Sequence, residues 1–412
     1  MNNVKSSLLV TFDFSQRGKS GTGLAAGSLL SACRHHPLYG SHFTVAHLAI
    51  KMSTEAAMMP TAEDVLKSIQ AEVDLCSLDS LALACYVWSS VLIEPLIKLC
   101  REAGFWGNII LGGYQIMKTS GEALYPGGDI YIPGYAESAL PEAFLKGPLL
   151  SKLVLVLPVD FETLPSPYLD GTIALESGQA MIHWETRRGC KFKCNFCAHR
   201  DLLGKKVELF GMDKIKQELD LFKAKRVQKI NVLDPVFNLE PNHLQILKYA
   251  KSIGLKALLV FQVRFECITE EFLSLCADLN VHLEFGLQTA VREEFKVIKR
   301  PNHLRKVSHS INKLHDWNQS FEVSLIYGLP GQTPDDFLAS IQFLKSRGVE
   351  TIKAFPLMLL EGTELARDKE KLGVVEDIID VGGIPLVVES NSFTRGEWEK
   401  MHHYAYELGN HG

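Results

Sequence analysis

Residues 185–200 read ETRRGCKFKCNFCAHR. Three of the chain's nine cysteines, Cys190, Cys194 and Cys197, fall here with the spacing Cys–x3–Cys–x2–Cys. Thiolates are soft donors that suit iron–sulfur clusters or zinc. The stretch follows directly on MIHWET (181–186), which reads as a strand. A compact loop there can set three sulfurs at three corners of a cubane and leave the fourth iron open, unlike the four-cysteine ligation of electron-transfer clusters. The competing reading is zinc on the same three cysteines with His199. Structural zinc sites usually pair two short ligand motifs across an intervening segment, and no second cysteine pair follows. The other six cysteines are scattered, mostly within apolar runs, and read as small core residues. An odd number of cysteines argues against a disulfide framework.

Working outward, the cysteine loop opens a series of alternating strand and helix patterns. The strand candidates are MIHWET, KINVLD (229–234), ALLVFQV (257–263), HLEFGLQ (282–288), EVSLIYG (322–328) and TIKAFP (351–356). Helical patterns over 212–225, 241–253, 268–279, 302–316 and 334–347 separate them. Six such units predict an open, partial (β/α)6 barrel over residues 181–365, with its active site where strands give way to loops at their carboxyl ends. Ahead of it, SLLVTFDF, HFTVAHLAI, LALACYVW, NIILGG and DIYIPG alternate with helical patterns near 21–34, 61–72, 89–104 and 137–146. That alternation predicts a Rossmann-like, doubly wound parallel sheet over residues 1–150. Prolines and polar residues in LPVDFETLPSPYLDG (157–171) mark residues 151–180 as a connector. Residues 366–412 form a short α/β extension, with a strand in IPLVVES and a helix in RGEWEKMHHYAYEL.

The segments of the second series resemble the radical S-adenosylmethionine superfamily in their order. The cysteine spacing, with Phe196 before the last cysteine, resembles its signature. NVLDPVFNL around Asp234 is similar to the second-strand segment, VRFE with Arg264 to the third, and EFGLQT with Glu284 and Gln288, followed by Arg300, to the fourth. IYGLPGQT, with Gly328, Pro330 and Gly331, looks like the fifth-strand turn. The resemblance implies a 4Fe–4S cluster on the three cysteines. It implies S-adenosylmethionine contacts at Phe196, Asp234, Arg264, Glu284, Gln288, Arg300 and Gly328. Read alone, Glu284 and Arg300 serve equally well as partners of other charges, Gly328–Gly331 as a tight turn and Asp234 as a cap.

The first 150 residues resemble the cobalamin-binding domain of cobalamin-dependent radical enzymes. GTGLAAGSLLSACR looks like its first helix and DSLALACYVWSS like its third strand. IILGGY and GGDIYIPGYAESALPEAF look like its Gly-Gly and Gly-x-x-Glu turns, and LPSPYLDG like its connector. The implied cobalamin contacts are Tyr86, Val87, Trp88, Gly112, Gly113, Gly134 and Glu137. The Asp-x-His-x-x-Gly motif that supplies a lower cobalt ligand in some cobalamin domains is absent. A nucleotide-binding or purely structural sheet is the competing reading, and Tyr86–Trp88 also fit as core aromatics.

With both cofactors, the resemblance implies a methyltransferase. The 5′-deoxyadenosyl radical abstracts a substrate hydrogen, and methylcobalamin methylates the unactivated carbon. The alternatives are a cobalamin-dependent cyclase or rearrangement enzyme, a radical methylthiotransferase, and a non-catalytic metal-binding interaction protein. The expected partners are a small-molecule or peptide substrate and an electron donor such as flavodoxin or ferredoxin. A net charge of −5 predicts no general affinity for nucleic acid. MNNVKSSLLVTFDF has one lysine and an apolar run broken at Asp13, which predicts no signal peptide. No apolar run reaches the roughly 18 residues of a membrane span, so a cytoplasmic protein is expected.

Overall fold

Ser80–Ala84 is buried at every position, as befits a strand covered on both faces of a parallel sheet. In the computed structural model, which describes residues 4–14, 22–53, 58–116, 121–200, 207–239, 241–379 and 383–409, this segment is the third strand of six. The strands are β1 (Lys5–Phe14), β2 (Phe43–Met52), β3 (Ser80–Ala84), β4 (Asn108–Gly112), β5 (Ile130–Ile132) and β6 (Leu153–Val154). They lie in the order β2-β1-β3-β4-β5-β6, and every pair is parallel. Alternate residues of β1 feed opposite cores. Leu8, Val10 and Phe12 enter one cluster, while Leu9 enters the other. The helices are α1 (Leu24–His35), α2 (Ala62–Glu72), α3 (Ser90–Glu102), α4 (Gly121–Leu124) and α5 (Ala139–Phe144). Thr61 and Asp64 form a reciprocal capping box at the start of α2, worth about 1 kcal/mol. Gly21, read as helical from sequence, lies outside the described residues.

The chain divides into two units, residues 1–175 with 380–384 and residues 176–379 with 385–412. The proline-rich stretch packs within the first. Ser31 of α1 donates to Asp170 at 2.5 Å. A Cβ on Gly27 would meet Ile173 and Pro167, so α1 needs a glycine there to lie against this segment.

The second unit holds an open six-stranded parallel sheet in the order β14-β13-β12-β11-β10-β7. Its strands are β7 (Met181–Trp184), β10 (Lys229–Val232), β11 (Leu258–Val263), β12 (Val281–Gln288), β13 (Phe321–Tyr327) and β14 (Ile352–Pro356). A small hairpin, β8 (Arg187–Arg188) with β9 (Glu208–Leu209), follows β7. The covering helices are α6 (Met212–Ala224), α7 (His243–Ser252), α8 (Glu270–Ala277), α9 (Arg292–Val297), α10 (Leu304–Asp316) and α11 (Pro334–Lys345). Trp184 of β7 donates to Glu218 of α6 at 2.7 Å, both buried. On β12 exposure alternates strictly. The apolar residues face the helices, and His282, Glu284, Gly286 and Gln288 share the other face. The short α12 (Glu364–Arg367) leads to β15 (Val375–Asp377), β16 (Leu386–Glu389) and α13 (Arg395–Glu407). Apart from residues 380–384, this last segment belongs to the second unit. Tyr327 at the end of β13 hydrogen-bonds His402 of α13 at 2.8 Å, and Trp398 and Met401 are buried. Among the described residues no helix is long and apolar enough to cross a membrane.

Candidate active site

β7 stops at Trp184, and the chain after it is held from below. Asp234, fully buried just past β10, accepts from Thr186 N at 2.7 Å, from the Thr186 hydroxyl and from Arg187 N at 3.2 Å. Its ion pair with the buried Arg187 spans 3.7 Å. Arg187 in turn donates to the carbonyls of Leu239 and Pro241. Burial raises the Asp234 carboxyl to about 6, against the lowering effect of the Thr186 hydrogen bonds. Further along, Asn195 ties the cysteine loop to the end of α9. Its N–H donates to Ile298 O at 3.1 Å, and its amide donates to Val297 O at 2.6 Å. Leu365 of α12 closes the loop by donating to Asn195 O.

The loop so fixed borders a cavity of about 250 Å³. Cys190, Cys194 and Cys197 line it, with Phe196, Arg264, Glu284, Gln288 and Arg300. Arg300 Nη1 donates to Cys194 Sγ at 3.5 Å, and its other amino group donates to Gly286 O. Its Nε is buried and has no hydrogen-bond partner among the described residues. The Arg264 guanidinium lies 3.8 Å over the Phe192 ring and pairs with Glu266. Burial raises the Cys190 thiol, and raises Cys197 to about 11, while the Arg300 cation pulls both down. Thiols held protonated by burial bind metal with release of protons. Among the described residues no three His, Cys, Asp or Glu side chains converge tightly enough to hold a single metal ion. Three thiols spread along one cavity, with cations beside them, form a donor set that fits an anionic iron–sulfur cubane.

Two expected contacts lie elsewhere. Asp234 does not line the cavity; it clamps the backbone below the loop, and its neighbours Pro235 and Val236 reach the lining instead. Gly328 is also absent from the lining. Its φ is +80°, and a Cβ would meet Val387 O at 3.0 Å and Trp398 at 3.2 Å, so the glycine makes room for the last strand and helix. Glu284 lies in the middle of β12, level with Gln262 and Glu322. Burial, then the neighbouring Glu322, raises its carboxyl. Sequence reading missed Asn195, Asn238 and Gly286. Asn238 exchanges two hydrogen bonds with the backbone of Arg264, at 2.9 and 3.0 Å. Gly286 sits at a bulge in β12, where a Cβ would come 2.5 Å from Gln288 Nε2. The bulge leaves Gln288 at φ 72°.

In the first unit, the strand order reverses between β1 and β3, and ligands of such sheets bind in the crevice at the carboxyl ends there. Tyr86, Val87 and Trp88 do not continue β3, as LALACYVW suggests. The strand ends at Ala84, and Val87–Ser89 turn into a 3-10 helix. The turn is set by Ser89 Oγ, which accepts from Tyr86 N at 3.0 Å. The Tyr86 and Trp88 rings stack at 4.6 Å, half-buried, and Trp88 donates to Phe12 O at 2.9 Å. Beside them Cys85 N bonds Gly112 O at 2.7 Å. Gly113 has φ +108°, and a Cβ there would lie 2.7 Å from Cys85 O. Gly134 is left-handed at φ +87° and Glu137 is buried. His47 is committed to Thr11, 3.0 Å away. The backbone shelf at Gly112–Gly113 and the flat aromatic pair suit a broad planar ligand.

The loop after the first strand of this parallel sheet thus brings three cysteines to a cavity lined by Arg264 and Arg300. The model of the radical SAM superfamily matches residues 184–344 of the chain. The chain is 23% identical over 380 residues to the 2-(S-pantetheinyl)-carbapenam-3-carboxylate methyltransferase of Streptantibioticus cattleyicolor, covering 78% of this chain and 55% of that protein. It is also 23% identical over 384 residues to the cobalamin-dependent radical SAM methyltransferase TokK of Streptomyces tokunonensis, with the same coverage. The chain thus spans about half the length of these curated relatives. The solved radical S-adenosylmethionine methyltransferase TsrM from Kitasatospora setae shares the fold. The TM-score is 0.71 at 13% identity, over 98% of this chain and 89% of that one.

Proposed function

We propose that the chain is a cobalamin-dependent radical S-adenosylmethionine methyltransferase acting on an unactivated carbon of a small molecule or peptide. The reading rests on the gathering of Cys190, Cys194, Cys197, Arg264, Gln288 and Arg300 around one cavity. The names of the relatives support it, and the switch-point shelf of the first unit supports the second cofactor. When bound, the cluster supplies the electron that cleaves S-adenosylmethionine to a 5′-deoxyadenosyl radical, and cobalamin carries the methyl group.

The protein's part is binding, orientation and exclusion of water. Arg300 and Arg264 hold positive charge beside the thiolates, and charge-assisted contacts of this kind are stronger than neutral ones. Phe192, Phe196 and Val236 give the cavity apolar walls, which strengthens every electrostatic contact within. Phe196, Glu284 and Gln288 present further contacts for S-adenosylmethionine, while Asp234 and Gly328 position the backbone that carries the site. Tyr86, Val87, Trp88, Gly112, Gly113, Gly134 and Glu137 form the cobalamin-binding set, in a domain of residues 1–150. Residues 151–180 connect it to the radical domain at 181–365, and 366–412 extend the latter. The reductant is a flavodoxin- or ferredoxin-type protein, and the setting is the cytoplasm.

Anaerobic purification with cobalamin, followed by ultraviolet–visible and electron paramagnetic resonance spectra, tests the cofactors. A cobalt signal with a reducible 4Fe–4S signal is expected. A cluster without retained corrin would sink the methyl-transfer reading. Incubation with methyl-labelled S-adenosylmethionine then separates methylation from cyclisation, because cyclisation leaves the product unlabelled.

A further inference from the structure

Residues 292–306, REEFKVIKRPNHLRK, hold six cations and two carboxylates in a chain of net charge −5. One of the two, Glu294, is fully buried and offsets little outside. α9 and the start of α10 shape this stretch into a groove of about 620 Å³, lined by Arg292, Lys296, Lys299, His303 and Arg305. Lys299 pairs with Glu364. Among the described residues, Arg292, Lys296, Arg305 and Lys306 make no ion pair, although all four are exposed. Unpaired like charges so close repel one another, which is a standing cost unless an anionic partner visits.

The same stretch touches the cysteine loop. Val297 O and Ile298 O receive both hydrogen bonds from Asn195, and Arg300 donates to Cys194 Sγ at 3.5 Å. The groove is therefore one layer of chain away from a cluster sulfur. We infer that this groove is the docking surface for the reductant, an acidic one-electron carrier protein of the flavodoxin type. The inference rests on the cluster reading above. The step moves a single electron: the carrier is oxidised by one electron, the cluster is reduced by one, and no bond forms or breaks. Opposite charge steers such encounters and raises their rate, with steep dependence on salt. A nucleic acid would need a longer basic track, whereas here the cations collect in one groove beside the cluster loop.

The test uses reconstituted enzyme and the variant R292E/K296E/R305E, none of whose positions touches the cavity. Binding to immobilised recombinant flavodoxin is measured by interferometry at low and high ionic strength. Cluster bleaching is followed by stopped flow with flavodoxin hydroquinone and, separately, with dithionite. Wild-type binding should weaken with salt. The variant should bind about tenfold or more weakly at low salt, lose most of the salt dependence, and bleach correspondingly slowly with flavodoxin. Dithionite bleaching should be unchanged, which excludes damage to the cluster. Unaltered flavodoxin binding and bleaching would overturn the proposal. So would loss of binding to a fluorescent oligonucleotide with the flavodoxin rate intact. Binding requires no cluster, so an iron-free preparation would count against the cluster reading while the binding arm still decides the groove.

Discussion

Asp234 shows how a single residue can govern a site that it does not enter. Its carboxylate serves three donors on Thr186 and Arg187 and faces the Arg187 guanidinium, all out of water. Replacing it with Asn sets an amide N–H against a backbone N–H and leaves Arg187 charged without a counter-ion. Asp234→Asn should destabilise the second unit by about 3–5 kcal/mol, the range for removing one member of a buried ion pair. A urea titration followed by tryptophan fluorescence and circular dichroism measures it, and an unchanged midpoint would contradict the clamp. Gly286 makes a subtler point. Gly286→Ala places a methyl group where Gln288 Nε2 now lies, so that amide must leave the cavity. The variant should stay folded and bind S-adenosylmethionine about tenfold more weakly by calorimetry, the loss expected of one polar contact. The cysteines, Arg264, Gln288 and Arg300 were legible in sequence because their chemistry demands a residue type. Asn195, Asn238 and Gly286 were not, since each acts on backbone or on empty space, and neither leaves a mark in the pattern of residue types. Asp234 was expected beside the cofactor, and the structure shows it holding the backbone of Thr186 and Arg187; a buried carboxylate beside a site looks the same in sequence whether it faces ligand or chain.

Among the elements, the long strands and helices were readable from their periodicity, while α9, β6 and the 3-10 turn at Val87–Ser89 were too short to show any. α9 nonetheless carries a titration that can be read out. Glu294 is buried against Gln332 and Thr289, and burial pushes its carboxyl from 4.5 to about 7. The folded state therefore holds the proton more tightly than the unfolded chain does. Below about pH 4.5 both states are protonated. As pH rises from there to about 7 the folded state is the one that still binds the proton, so stability falls, by an amount on the order of 3 kcal/mol. Glu294→Gln keeps the oxygen that accepts from Gln332 and has no proton to lose. Urea midpoints at about pH 5 and pH 8 should therefore drop for the wild type by more than for the variant. Equal slopes would mean that Glu294 is ionised in the fold like an ordinary carboxylate.

At the scale of the whole molecule, the proposed cofactors sit on separate sheets, each built on its own core and each with its own device for holding a ligand. The proposed cluster would depend on a loop anchored by Asp234, Asn195 and Arg300, all within the second unit. On the proposed reading the corrin would rest on the backbone shelf, where Gly113 cannot take a Cβ without driving it into Cys85 O. A left-handed backbone adds strain of about 1–3 kcal/mol for any other residue. The two losses should therefore be separable. Replacing Cys190, Cys194 and Cys197 by Ala together should remove the iron and leave cobalamin bound, with its visible spectrum intact. Gly113→Ala should do the reverse, keeping the iron content of the wild type while losing most of the corrin. Iron and cobalt analysis of the two purified variants reads both outcomes at once. If either variant loses both metals while its circular dichroism stays native, the two sites are coupled, and the division of labour between the sheets must be abandoned.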